Sequence, residues 1–144
     1  MDAEQFLSII RVGGYHERRV DIDSDEWFII NVGKARQGGE DVWNPLNDGS
    51  LDGGNSQTDF AEAVNEVRSA VQSEEAVFVH CAVGQSRSVS VVATALGAEA
   101  GIEYPEALEY IMDASGNEYT PADSLSAKGE SYLRHYHAKS DDSN

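Results

Sequence analysis

The stretch His80-Cys81-Ala82-Val83-Gly84-Gln85-Ser86-Arg87-Ser88 constrains this chain more than any other, because the segments on either side of it are of opposite type. Ala76-Val77-Phe78-Val79 before it is short, apolar and rich in β-formers, which predicts a buried strand. Val89 to Ala100 after it predicts a helix. A tight loop between a strand and a helix points its backbone N–H groups inward as an anion nest, and the helix N-terminus adds a positive dipole end. The only cysteine of the chain stands at the head of that loop. A free thiol titrates near ~8.5, and a helix N-terminus beside a cation lowers that value, so Cys81 is expected to rest as a thiolate nucleophile. Arg87 carries a planar fork of donors that suits two oxygens of a phosphoryl group, as a lysine would not. Gly84 falls where the turn needs a positive φ or a close backbone approach, and the Ser88 hydroxyl is placed to hydrogen-bond the sulfur as it leaves.

Cys81, five residues, then Arg87 and Ser88, with His80 in front, resembles the signature of the cysteine-based protein tyrosine phosphatases. The Gly-Gln-Ser-Arg-Ser ending is most similar to the dual-specificity branch, and the resemblance runs from about Asp25 to Tyr136. It implies a thiophosphoryl-enzyme intermediate with Cys81 as nucleophile, Arg87 as phosphate clamp, Ser88 assisting hydrolysis of the intermediate and His80 holding the loop. His80, Ala82, Val83, Gly84, Gln85 and Ser86 would form the substrate-binding loop, Ser86 contributing a backbone N–H. It also implies an upstream aspartate as general acid, since a phenolate or alkoxide leaving group needs a proton. Two carboxylates compete in the Gly-, Pro- and Asn-rich segment from Trp43 to Asn55, which reads as an irregular, mobile loop. Asp48 is favoured over Asp52 because its Pro-Leu-x-Asp context is similar to the family's aspartate loop.

Elsewhere Phe60, Val64, Val67 and Val71 recur at helical spacing behind a Ser56 N-cap. Trp27–Val32 predicts another buried strand and Phe6–Val12 a first one. Pro105 suits the start of a helix to about Ala114, with Leu108 and Ile111 facing the core, and Ala122–His137 predicts a last helix. Strands separated by helices argue for an α/β fold with a mainly parallel central sheet flanked by helices, phosphatase-like, and the active loop at a strand's carboxyl end. The expected organisation is one catalytic domain over 1–138 with a disordered acidic tail at 139–144.

Acidic residues outnumber basic ones 26 to 10, a net charge of −16. Such a field disfavours nucleic acid or an anionic membrane as partner and suggests adaptation to high salt, where screening relieves self-repulsion. A lone cysteine allows neither an internal disulfide nor a cysteine-based zinc cluster, and no cofactor or metal is expected. Without a signal-like start or a long apolar run, a cytoplasmic monomer acting on a phosphorylated protein is the expectation. The family's inositol-lipid and RNA-end phosphatases tend to carry basic residues inside the loop; Ala82 to Ser86 contains none, which favours a monophosphate ester, phosphotyrosine first, with phosphoserine and phosphothreonine open. The alternatives are a rhodanese-like sulfurtransferase, which also sets a cysteine at the head of a six-residue anion loop, and a phosphate-ligand binding module without turnover.

Overall fold

The computed structural model describes residues 1–48 and 54–142. In chain order it forms α1 (Ala3–Ile9), β1 (Ile10–Gly13), α2 (Tyr15–Val20), β2 (Phe28–Asn31), β3 (Val42–Trp43), α3 (Gln57–Ser73), β4 (Val77–His80), α4 (Arg87–Ala100), α5 (Tyr104–Ser115) and α6 (Asp123–Asp142). The strands make one sheet in the order β1-β4-β2-β3, with every pairing parallel. β4 is therefore central, and the loop that follows it opens at the carboxyl edge of the sheet, between the ends of β1 and β2.

Side-chain alternation divides the core in two. Ile30, Val77 and Val79 face the larger cluster with Phe6, Phe60, Val64, Val67 and Leu96, while Ile29 and Phe78 face the other way onto Ile22 and Trp27. α4 lies inside the larger cluster, with every residue from Ser88 to Ala98 buried. A helix buried on every side is one surrounded by others. Gly97 and Gly129 allow α4 and α6 to approach closely, since a Cβ on Gly97 would lie 2.6 Å from Leu133 and one on Gly129 2.5 Å from the Thr94 hydroxyl. Arg68 ties three helices together: its Nε meets the Glu99 carboxylate at 2.9 Å, its Nη1 donates to the Tyr132 hydroxyl at 2.8 Å, and its guanidinium lies 4.4 Å from the Tyr136 ring centre.

The amphipathic reading of α3 holds in detail, with Phe60, Val64, Val67 and Val71 buried and the Ser56 hydroxyl accepting from the Asp59 N–H at 3.0 Å. α5 begins at the Glu103 N-cap with Pro105 in its first turn, burying Ile111 and half-burying Leu108. The strand expected over Phe6–Val12 needs correction, because its first half is the end of a helix. Asp2 caps that helix through the Gln5 N–H at 2.8 Å, and Ala3-Glu4-Gln5 are good helix formers, so the apolar run splits at Ile10. The last helix continues past His137 to Asp142, with no Gly or Pro to stop it. Among the described residues no helix is long and apolar enough to cross a membrane.

Candidate active site

Burial, the helix end and the turn act together on Cys81, which is 2 % exposed. Its N–H donates to the Gly13 carbonyl at 3.4 Å, fixing the start of the loop to the end of β1. The Gly84 N–H donates to Sγ at 3.2 Å, and the Ser88 hydroxyl lies 3.3 Å from the same sulfur and 3.5 Å from the Gly13 carbonyl oxygen. Burial by itself would push the thiol up. The hydrogen bonds of the Ser88 hydroxyl and N–H and of the Gly84 N–H, with the Arg87 charge, outweigh it and hold Cys81 below the usual thiol range. The loop is thus arranged to favour a thiolate.

Gly84 makes this turn possible, with φ of +79°. Gly13 and Gly14 pack against it: a Cβ on Gly14 would lie 2.7 Å from the Ala82 carbonyl oxygen. The Tyr15 N–H donates to that same oxygen at 3.0 Å. Ser86 is the N-cap residue of α4, and its hydroxyl accepts from the Ala122 N–H at 2.9 Å, tying the loop to the segment before α6. Val83 and Gln85 are exposed on the rim and Ala82 is half-buried.

Arg87, half-buried in the first turn of α4, donates through Nη1 to the Leu46 carbonyl at 3.1 Å. Leu46 is buried, and its own N–H donates to the Val32 carbonyl at 3.0 Å, so the segment carrying Asp48 is pinned to the end of β2 on one side and to the arginine on the other. Asn55 closes it further, accepting from the Asn47 N–H at 2.6 Å and donating to the Asn47 carbonyl at 2.9 Å. Asp48 is exposed, two residues from the arginine's anchor. Asp52, with the rest of 49–53, lies outside the described residues.

His80 is fully buried, stacked 5.5 Å from Phe78 and edge-on to Tyr15 at 5.5 Å. Its Nδ1 is 3.4 Å from the Cys81 carbonyl oxygen, and among the described residues its Nε2 has no partner. Burial, reinforced by the Arg18 charge and only partly opposed by the Cys81 carbonyl, pushes its pKa down to about 4. The ring is therefore neutral at physiological pH and lies behind the loop, out of reach of solvent. Because the unfolded chain protonates this histidine near ~6.5, it binds more protons than the fold between about 4 and 6.5, and stability falls as pH drops through that window. The His80→Phe variant should lose that acid dependence, roughly 3 kcal/mol in full at about 1.4 kcal/mol per pH unit, in urea unfolding titrations. An unchanged difference between pH 6.5 and 4 would contradict the assignment.

Several supporting residues carry no local sequence signal. The Tyr15 hydroxyl both donates to the Ala35 carbonyl and accepts from the Ala35 N–H, each at 2.9 Å, and Asn31 reaches the Gly33 N–H at 2.8 Å and the Ala35 carbonyl at 3.0 Å. Together they brace the turn after β2 beside the loop. The Gly13-Gly14 doublet after an apolar run was the one available hint of a close approach.

The fold has counterparts in solved structures. PTPMT1 in complex with PI(5)P superposes with a TM-score of 0.72 at 15% identity, over 97% of each chain. Human DUSP28 gives 0.70 at 16% identity over 90% of this chain and 94% of that one. The human tyrosine phosphatase-like serine/threonine/tyrosine-interacting protein gives 0.73 at 16% over 91% and 95%. At these identities the likeness is one of fold, and a search of curated proteins finds no sequence match. The family model described as "Dual specificity phosphatase, catalytic domain" matches residues 27–128, which takes in β2 through the first turns of α6 and the whole cysteine loop. With the cysteine loop lying within that match, the chain belongs to the dual-specificity phosphatase family and is a cysteine-dependent phosphatase.

Proposed function

We propose that this domain hydrolyses phosphotyrosine monoesters in proteins, and phosphoserine or phosphothreonine monoesters as well, through a cysteinyl-phosphate intermediate. The carrying observation is the sulfur of Cys81, held by the Gly84 N–H and Ser88 hydroxyl at the N-terminus of α4. The thiolate attacks phosphorus, the S–P bond forms and the ester P–O bond breaks. Asp48 gives its proton to the departing oxygen. The Asp48 carboxylate then takes a proton from water, whose oxygen attacks phosphorus; the S–P bond breaks and phosphate leaves. Ser88 donates to the sulfur as negative charge returns to it. Arg87 trades the Leu46 carbonyl for phosphoryl oxygens, stabilising charge that spreads over them in transfer. Ala82 to Ser86 supply backbone N–H groups and His80 supports them from behind.

PTPMT1 was solved in complex with PI(5)P. This chain's loop interior, Ala82 to Ser86, holds no basic side chain for further phosphates, which supports the monoester reading. The charge of −16 argues against nucleic acid and anionic membrane as partners and supports a monomer adapted to high salt. In that case melting temperature and turnover should both rise as salt goes from near zero to about 1 M, where the Debye length falls to about 3 Å. A steady decline over that range would remove the high-salt reading.

The direct test is hydrolysis of an aryl phosphate with orthovanadate as competitor. Vanadate-sensitive turnover is expected; folded protein that turns over no phosphate ester but moves sulfur from thiosulfate to cyanide would replace this reading by sulfur transfer. Asp48→Asn should lower kcat by about 10²-fold on phenyl phosphate. Full activity in Asp48→Asn with loss in Asp52→Asn would reassign the acid.

A further inference from the structure

β1 is an edge strand, and the register fixes which of its backbone groups are open. Gly13 pairs with His80, and its carbonyl accepts from the Cys81 N–H. Along a parallel strand, alternate residues direct both N–H and C=O to the same side. Arg11 and Gly13 therefore face β4, while Val12 turns its N–H and C=O outward, and Ile10 its C=O. One step on, the outward N–H of Gly14 is taken by the Glu17 carboxylate at 3.4 Å. Among the described residues no strand pairs with this edge.

In front of the edge lies a cleft of about 650 Å³. Arg11 and Val12 of the strand, Val83 and Gln85 of the cysteine loop, and a wall that includes Asn117 and Tyr119 line it. That wall is anchored, with the Tyr119 N–H on Met112 Sδ at 3.4 Å and the Ala122 N–H on the Ser86 hydroxyl at 2.9 Å.

We propose that an extended segment of the phosphoprotein substrate, next to its phosphorylated residue, docks in this cleft as an added strand on β1; this rests on the phosphatase reading above. The outward groups of Ile10 and Val12 are a ready template for main-chain pairing. The cleft shares Val83 to Gln85 with the cysteine loop, so a chain leaving the phosphate site enters it directly. Glu17 and Glu118 line it, and its one cation, Arg11, already meets Asp21 at 3.3 Å. Basic side chains on the substrate segment fit this lining. A second copy of this chain, at −16 itself, does not.

The test reads binding rather than turnover. Wild-type protein is titrated with peptides carrying a non-hydrolysable phosphonate analogue of phosphotyrosine, one ending at that residue and one extended by about five residues on either side with lysines among them. The extended peptide should bind about tenfold tighter. Single backbone N-methylation should erase the gain at alternate positions on one side only, and Val12→Pro, which removes an outward donor at an edge where proline is tolerated, should erase it while leaving aryl phosphate turnover unchanged. Equal affinity for both peptides, or a gain indifferent to N-methylation, would overturn the proposal. If Val12→Pro does not fold, the N-methyl series decides alone. Absent aryl phosphate turnover would count against the phosphatase reading, and the peptide titration would still decide the docking.

Discussion

Cys81→Ser is expected to abolish turnover of aryl phosphates, by at least about 10⁴-fold in kcat, while leaving the melting temperature nearly unchanged. The two side chains are close in shape, and Cys81 is 2 % exposed in a site whose donors, the Gly84 N–H and the Ser88 hydroxyl, serve oxygen as well as sulfur. The difference is chemical. A serine hydroxyl is a far weaker acid than a thiol and stays protonated in the same surroundings, and the His80 ring, which faces the Cys81 carbonyl, is not placed to act as its base. Removing a nucleophile of this kind costs activity as a unit, with little left to the remaining groups. The variant should still bind phosphate esters, because the nest and Arg87 are untouched. Retention of even a hundredth of wild-type turnover would mean that another group attacks phosphorus.

Gly84→Ala should be nearly as damaging for a different reason. At φ of +79° a Cβ costs about 1–2 kcal/mol through local clash alone. Here it would also lie 2.5 Å from the Gly13 carbonyl carbon and 2.8 Å from the Gly14 nitrogen. Those are backbone atoms at the end of β1, so relief requires the loop to move away from the strand that holds the Cys81 N–H. A total destabilisation of about 2–4 kcal/mol is expected in denaturant titrations. Displacing the cradle by even about 1 Å should cost on the order of 10²-fold in kcat as well. Wild-type stability and turnover in Gly84→Ala would show that the Gly13-Gly14 contact does not shape the loop.

The part of this site that could be read from sequence is the part written locally. A β-rich run, a cysteine, a glycine and an arginine at fixed spacing, and a helix-forming run afterwards specify β4, the loop and α4, and Ser56 and Pro105 mark the starts of α3 and α5. The apolar run from Phe6 to Val12 carries no period that separates helix from strand, and the Asp2 cap decides for a helix in its first half. α2 and β3 are too short to leave a pattern: α2 buries no residue, and β3 is two residues whose pairing with Ile30 and Asn31 is settled by tertiary contact. The supports of the site are long-range in the same way. Nothing near Ser86 in the sequence announces Ala122, nothing near Arg87 announces Leu46, and nothing near Asn47 marks Asn55 as its clamp. In the segment from Trp43 to Asn55, which reads as irregular from its glycines and asparagines, the buried Leu46 bonds to Val32 and Arg87, and Asn55 bonds back to Asn47.

The covalent intermediate proposed above can be tested for directly. Ser88→Ala removes the hydroxyl 3.3 Å from the sulfur that would ease thiolate departure, so breakdown should slow more than formation. Acid quenching of this variant during turnover of an aryl phosphate, followed by peptide mass spectrometry, should find phosphate on the peptide containing Cys81. Steady turnover with an unmodified Cys81 at every quench time, or phosphate on another residue, would contradict a cysteinyl-phosphate mechanism.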